Sequence, residues 1–563
     1  MSVRTTSGWI ATALLLAGIV PAQGAARTWV GGVAGNSWLN TNNWVEQVIP
    51  AGGDTVTIPS GKTVLLTSQT AYLGSFSITN STLTFTNWTT ALRATNITLW
   101  NNGKFTLPAA FSNAPVMSNR VWVIGSNFTF HAGASILADG LGYANASGPG
   151  KGTQGTGGSG SGHGGKGGMG STGPAIGQRY GSTNAPLAPG SGAPPYAGSA
   201  SYVGHHGGGA VRIDATGTVI INGTVSANAA RLNSPNPVNY ASGASGGSIY
   251  ISCKTFGGST NGLLRADGGS GGSVGGAGGG GRIAVDYQAL SGTPGVRMSV
   301  NRGVAGWQTL DVNVPVEAFA AQMGTLWFPN PALMDSARSA WAGPGLSGFN
   351  GYLVFQSTNI WRPGSLKMNN STLGIPENGR WLVTNDVTMS GGGIRADSHT
   401  VLTSGGNLRL TNSASMVIYS GRTNALYPTY GSWIGVTNAL TISSNCWVYP
   451  FSESTNGGSV AFQVGQLTIL HGGGINALGR GYGYGAGPGK GISNAGGGHG
   501  GKGGNSQGGT LGGTAYDATN APIRAGSGGS RYGAQYLTAN HGGGVIRINV
   551  TGTVRIDGRV TVD

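Results

Sequence analysis

LKMNNSTLGIPENGRWLVTNDVTMSGGGIRADSHTVLTSGGNLRLTNS, residues 366–413, is the stretch on which the fold turns. Leu366 and Met368, Val387 and Met389, Leu408 and Leu410 are apolar pairs at i and i+2 that recur every 21 residues. Leu373 and Ile394 keep the same interval. An i, i+2 pair places both side chains on one face of a strand. A steady beat with two or three short strands per period marks one coil of a β-solenoid. Asn370-Ser371 and Asn412-Ser413 sit beside these strands. Asn tolerates the left-handed backbone that a tight corner needs. A β-sandwich also turns every ~8–12 residues, but it has no reason to hold one period over three coils.

Upstream the same pattern is looser. Phe76/Ile78 and Ile97/Leu99 are 21 apart, while Leu83/Phe85, Phe105/Leu107 and Phe128/Phe130 follow at 22 and 23. Between these regions the chain carries one glycine-rich passage twice, about 336 residues apart. The first copy runs through GPGKG (148–152), HGGKGG (163–168), Tyr180, and HGGGAVRIDATGTVIINGTV (206–225). The second repeats these landmarks at 487–491, 499–504, Tyr516 and HGGGVIRINVTGTVRIDGRV (541–560). Long repeats indicate a stacked, modular architecture. The second copy stops at Asp563, short of the first, which predicts a truncated unit or fragment.

Gly accounts for 109 of 563 residues and charged side chains for 8%, against usual shares of ~7% and ~25%. Hydrophobic residues reach 38%, too many for a disordered chain. The glycine-rich passages read either as surface loops or as packed polyproline-II-like segments. Missing side chains let such segments approach closely, at a high entropic cost.

Arg4 followed by the apolar run Trp9–Val20 and small residues near Ala26 reads as a secretory signal, and the mature chain has no segment apolar enough to span a bilayer. Cys253 and Cys446 share strand parity with apolar neighbours and read as small buried hydrophobes, a disulfide being the weaker alternative. The net charge of +15 favours acidic polysaccharide or another anionic surface as partner. Basic residues are scattered and no DNA-binding motif is present, so nucleic acid is not expected.

WVGG at Trp29, NTNNW ending at Trp44, PAGGD ending at Asp54 and VTIPSGKTV from Val56 form a series. It resembles the opening of secreted bacterial right-handed β-helix proteins of the autotransporter-like, adhesin-like, glycine-rich kind. That resemblance implies a capping module leading into a right-handed parallel β-helix, and implies no catalytic residues. The expected fold is all-β, a right-handed parallel β-helix with two Gly-rich, polyproline-II-like insertions. The plan is a signal peptide over 1–26, a capping module over 27–67 and β-helix coils over 68–139. A Gly-rich insertion over 140–209, coils over 210–290 and an irregular connection over 291–345 follow. A second β-helix over 346–478, a second Gly-rich insertion over 479–544 and truncated coils over 545–563 complete it.

The chemistry is sparse. There are four Glu and twelve Asp, with no Asp-Asp pair, no HExxH and no repeating calcium nonapeptide. No catalytic residue, metal or cofactor is expected. Six of the eight histidines fall at matching points of the two copies: His131/His471, His163/His499 and His206/His541. Lys166/Lys502 also match. They read as a duplicated anion- or metal-binding site, or as imidazoles capping backbone amides where Gly supplies no side chain, and no carboxylate accompanies them to support a metal. Trp100 and Trp122, 22 apart and opposite in parity to inward neighbours, are expected to face out as a platform for sugar rings, as are Trp361 and Trp381. The candidate ligand-binding residues are Trp100, Trp122, His163, Lys166, His206, His499, Lys502 and His541. The expected function is a non-catalytic, adhesin-like, secreted or cell-surface protein that contacts glycans or anionic surfaces. The alternatives are a polysaccharide lyase or glycoside hydrolase on the same fold, and a structural component of a surface matrix.

Overall fold

The strand Leu366–Ile375 lies parallel to Val387–Ala396, with Leu366 opposite Val387 and Met368 opposite Met389. Val387 in turn lies opposite Leu408, and Leu408 opposite Leu440. The residues that keep the 21-residue beat are therefore direct neighbours in a row that crosses the strands. All of them are buried, and each contributes roughly 2 kcal/mol of apolar burial.

The computed structural model describes residues 24–32, 34–112, 117–171, 175–197, 204–230, 241–305, 320–334, 346–424, 426, 429–530 and 541–563. The expected signal segment falls almost wholly on residues 1–23, outside the described ones. No helix among the described residues is long and apolar enough to cross a membrane. The chain is all-β: strand makes up 38% of it and helix 2%, so strands build the core. Among the described residues, 33 strands from Ala26–Thr28 to Arg559–Thr561 join one hydrogen-bonded network. Strand pairing is parallel from the first layer, where Arg27 meets Val56, to the last, where Ile475 meets Val560. One apolar cluster runs through the whole stack.

Corners follow the residue chemistry read from the sequence. Asn80, Asn370 and Asn412 have φ of 43°, 47° and 53°. Gly391 occupies the same corner one layer after Asn370 and has φ 72°. A Cβ at Gly391 would overlap the Asn370 side-chain oxygen, so this position needs glycine for space as well as for conformation. The amides of Asn80 and Asn412 each donate to a serine hydroxyl one layer back, Ser60 and Ser390, at 2.7 Å.

The N-terminal motif explains itself through packing. Trp29, Trp38 and Trp44 are buried and meet edge-to-face at 5.0 and 4.8 Å. Asp54 accepts from the Ala25 and Ala51 amides and from Arg27 Nε at 2.8 Å. Burial alone would raise its pKa, but these donors hold the carboxyl below the ordinary range.

Each glycine-rich passage leaves the stack at a corner and returns in register. Val211 after the first lies opposite Val121 before it, and Ile548 after the second lies opposite Phe462. Inside the first passage the segments run outside any strand and bond to one another. Gly160 N donates to Gly168 O, Gly162 N to Gly150 O, and Gly167 N to Gly177 O. Further rungs reach the later glycine run, as from Gly276 N to Gly158 O.

Between 291 and 345 the strands Arg297–Ser299 and Thr325–Phe328 continue the stack, with Leu264 opposite Met298 and Leu326 opposite Leu353. The beat is lost there because long excursions separate the strands. Trp361 and Trp381 correct an expectation. They are register neighbours, but both are 2% exposed and meet edge-on at 5.0 Å inside the core. Inward positions switch at the Asn370 corner, from Leu366 and Met368 to Ser371, Leu373 and Ile375, and Trp381 and Val383 keep the new parity, so alternation carried over from Leu366 points the indole the wrong way. At the far end Val554, Ile556 and Val560 are exposed, whereas their first-copy equivalents Val219, Ile221 and Val225 lie buried under the strands that follow them.

Candidate functional site

Strands in successive layers end at stacked corners on one side of the molecule. Pro376 and Glu377 follow the strand Leu366–Ile375, and Asp397 follows Val387–Ala396. Tyr419 closes Ser415–Tyr419 and Phe451 closes Trp447–Phe451. Two cavities of about 510 and 460 Å³ open along these corners. They share Arg179, Glu377 and Asp397, so they form one groove with a junction at those residues. The first glycine-rich passage supplies one wall through Gly164, Lys166, Arg179 and Thr183. Gly479–Gly481 and His541 of the second passage close the far end.

The groove runs across the strands. Its floor passes from Arg282 through Trp327, Tyr352, Asp397 and Tyr419 to Phe451. Those residues lie on or just after strands linked by six successive parallel pairings. At ~4.8 Å per pairing the floor spans roughly 30 Å.

Asp397 stands at the junction. Tyr352 Oη donates to its Oδ1 at 3.0 Å, and Arg179 Nη2 lies 4.0 Å from its Oδ2. Burial raises its pKa above the usual carboxylate range, Glu377 adds to this, and Arg179, Tyr352 and Arg395 oppose it. Glu377 is exposed. The two corners are tied together, with Asn378 N donating to Ser398 O at 3.1 Å. Glu453 is committed elsewhere: the amides of Thr455 and Asn456 donate to it and Arg422 lies 3.6 Å away. Although burial would raise its pKa, these donors hold it below the ordinary range.

The cations are held differently. Arg282 is 5% exposed and donates to Tyr180 O, Thr183 Oγ1 and Thr325 Oγ1, which ties the first passage to the strands. Burial, with Arg179 nearby, lowers its pKa to about 10. Arg480 lies over the Tyr449 and Phe451 rings, 4.9 Å from each. Arg179 bonds Gln322 Oε1 at 2.7 Å and stays two-fifths exposed. Lys166 lines the groove with no ion pair among the described residues.

Of the residues picked from sequence, Lys166 and His541 meet in this groove although they come from different copies. Burial holds the His541 imidazole below its usual range. His163 is fully buried, its Nδ1 2.9 Å from Gly246 O, and its ring packs on Tyr180 at 4.6 Å. His499 repeats this against Tyr516 at 4.9 Å and lies 3.5 Å from Asp517. The repeat extends further. Ser191 donates to Tyr180 Oη and Ser527 to Tyr516 Oη, both at 2.9 Å, while Gly150 N and Gly489 N donate to those serines. The duplicated landmarks thus build a duplicated stitch that holds each passage together. His206 is half-buried, and its carbonyl accepts from Ala230 N. Lys502 is exposed outside the groove.

The two outward indoles take separate partners. Trp100 is 46% exposed and stacks on His131 at 4.1 Å. Trp122 is covered by the Arg120 and Arg212 guanidiniums, 4.1 and 4.8 Å from its ring, and its Nε1 donates to Asp214. Sequence reasoning missed Arg179, Glu377, Asp397 and Arg480, which sit at corners or in the glycine-rich wall, and Tyr352 on the strand Asn350–Phe355, where no regular period points to them.

A G8 domain, which is an extracellular domain, matches residues 43–119. No curated protein and no solved structure matches the chain.

Proposed function

We propose that the chain is a secreted, adhesin-like protein built as a right-handed parallel β-helix, and that its groove holds an extended acidic glycan. The observation that carries this reading is a groove that crosses six strand pairings rather than forming a closed pocket. A small metabolite needs enclosure on most sides, whereas a linear polymer needs length. Tyr419, Phe451 and Trp327 add apolar aromatic surface to the lining of the groove, against which sugars can pack. Lys166 and Arg179 offer cations to acid groups. The net charge of +15 favours approach of a polyanion. The glycine-rich passages, packed as polyproline-II-like segments, serve here as the wall and end of the groove. The extracellular character of the G8 match and the sequence's secretory signal fit this setting.

The test is calorimetric titration with polygalacturonate and with uncharged dextran. Binding of polygalacturonate that weakens at least tenfold in the Lys166→Ala/Arg179→Ala double variant supports the reading. Equal affinity for dextran, or an unchanged double variant, sinks it.

A further inference from the structure

We propose that the groove also cleaves what it holds, with Asp397 protonating a glycosidic oxygen and Glu377 activating the attacking water. This rests on the groove being a glycan site. Asp397 and Glu377 line both cavities, so they stand where a chain lying in the groove must pass. Glycoside hydrolysis needs two carboxyl groups set across one bond, one carrying a proton and one free to accept one.

The surroundings of the two groups divide those roles. Tyr352 engages Oδ1 of Asp397 and leaves Oδ2 on the side of Arg179. Burial favours the protonated acid there. Glu377 is exposed and open to water. Glu453, the third carboxylate lining the groove, is occupied by its own turn and by Arg422.

The step balances without a cofactor. The proton of Asp397 goes to the bridging oxygen as the bond from that oxygen to the anomeric carbon breaks. A water oxygen bonds to that carbon and its proton passes to Glu377. One water is consumed, one new reducing end appears, and solvent returns Asp397 and Glu377 to their starting states. Arg179 is placed to pair with an acid group of the bound sugar, which names a uronate-containing chain as substrate.

The experiment incubates the purified protein with polygalacturonate, alginate and chondroitin sulfate, and follows reducing ends, absorbance of unsaturated ends, and binding. The expected result is new reducing ends without unsaturated ends from at least one of them. Asp397→Asn and the exposed Glu377→Gln should each lower the rate at least ~100-fold while keeping binding within about threefold of wild type. Binding without cleavage, unsaturated ends, or full activity in both variants would overturn the hydrolase and leave the binding site standing. Absence of binding to any of the three would overturn both readings.

Discussion

Tyr352 and Asp397, 45 residues apart in the chain, meet on the floor of the groove through a 3.0 Å hydrogen bond from phenol to carboxyl. The bond favours the ionised acid, whereas burial favours the protonated one, and burial dominates. Tyr352→Phe should therefore raise the Asp397 pKa further. A group whose folded pKa exceeds its unfolded value loses its stabilising contribution as pH rises through that range. In the variant the decline should begin at the same pH, set by the unfolded chain, but continue to higher pH and end about 1 kcal/mol lower near neutrality. Denaturant midpoints from pH 4 to 8 check this, and an unchanged profile would show the bond to be energetically idle.

His163 sets an opposite dependence. Burial, with Arg282 nearby, pushes its pKa down to about 3. Below the ordinary imidazole pKa the unfolded chain takes up a proton that the folded chain refuses. Stability is then full above about pH 6.5 and declines as pH falls, by up to ~1.4 kcal/mol per unit. A His163→Gln variant should show a flatter acid limb in thermal scans between pH 7 and 4.

The glycine-rich wall should be intolerant of single methyl groups. A Cβ at Gly160 would overlap the Ala277 carbonyl, and one at Gly192 the Ala144 carbonyl, while a Cβ at Gly500 meets nothing within 4 Å. Gly160→Ala and Gly192→Ala should each destabilise by about 1–3 kcal/mol, and Gly500→Ala by far less. Melting temperatures of the three variants, measured side by side, separate an ordered wall from a loose one.

The column makes a parallel forecast. Leu408 is fully buried between Val387 and Leu440. Leu408→Ala should cost about 2–5 kcal/mol, whereas Arg409→Ala, facing outward next to it, should cost under 1 kcal/mol. Comparable losses at both positions in chemical denaturation would contradict the stacking.

Cys253 and Cys446 are free and buried, and burial raises the Cys253 thiol pKa to about 12. Neither should react with a thiol reagent in the folded protein, and both should titrate after denaturation. Rapid labelling of either in native buffer would place it at the surface.

Strand stacking was legible in the sequence because burial repeats with the chain's own period. Leu366, Val387 and Leu408 advertise their alignment by spacing alone, and Asn370 and Asn412 mark corners by conformational preference. Trp361 and Trp381 misled because parity counted from Leu366 changes at the Asn370 corner before it reaches Trp381. Trp122 faces out as its parity implies, but arginines from neighbouring segments cover it. The groove was not legible. Lys166, Asp397 and His541 come together only after the passages fold back over the corners, and no local spacing records that. The scarcity of carboxylates, read as an argument against catalysis, concealed that Glu377 and Asp397 converge.

Val121 and Val211 remain adjacent although an entire glycine-rich passage separates them, and the same corner is used again ahead of Arg547. A scaffold that lets the polypeptide wander off and resume at the next rung without disturbing the rungs themselves is a permissive site for grafting. Foreign sequence spliced there would inherit a rigid mount, and the ornament could diverge while the spine stays the same.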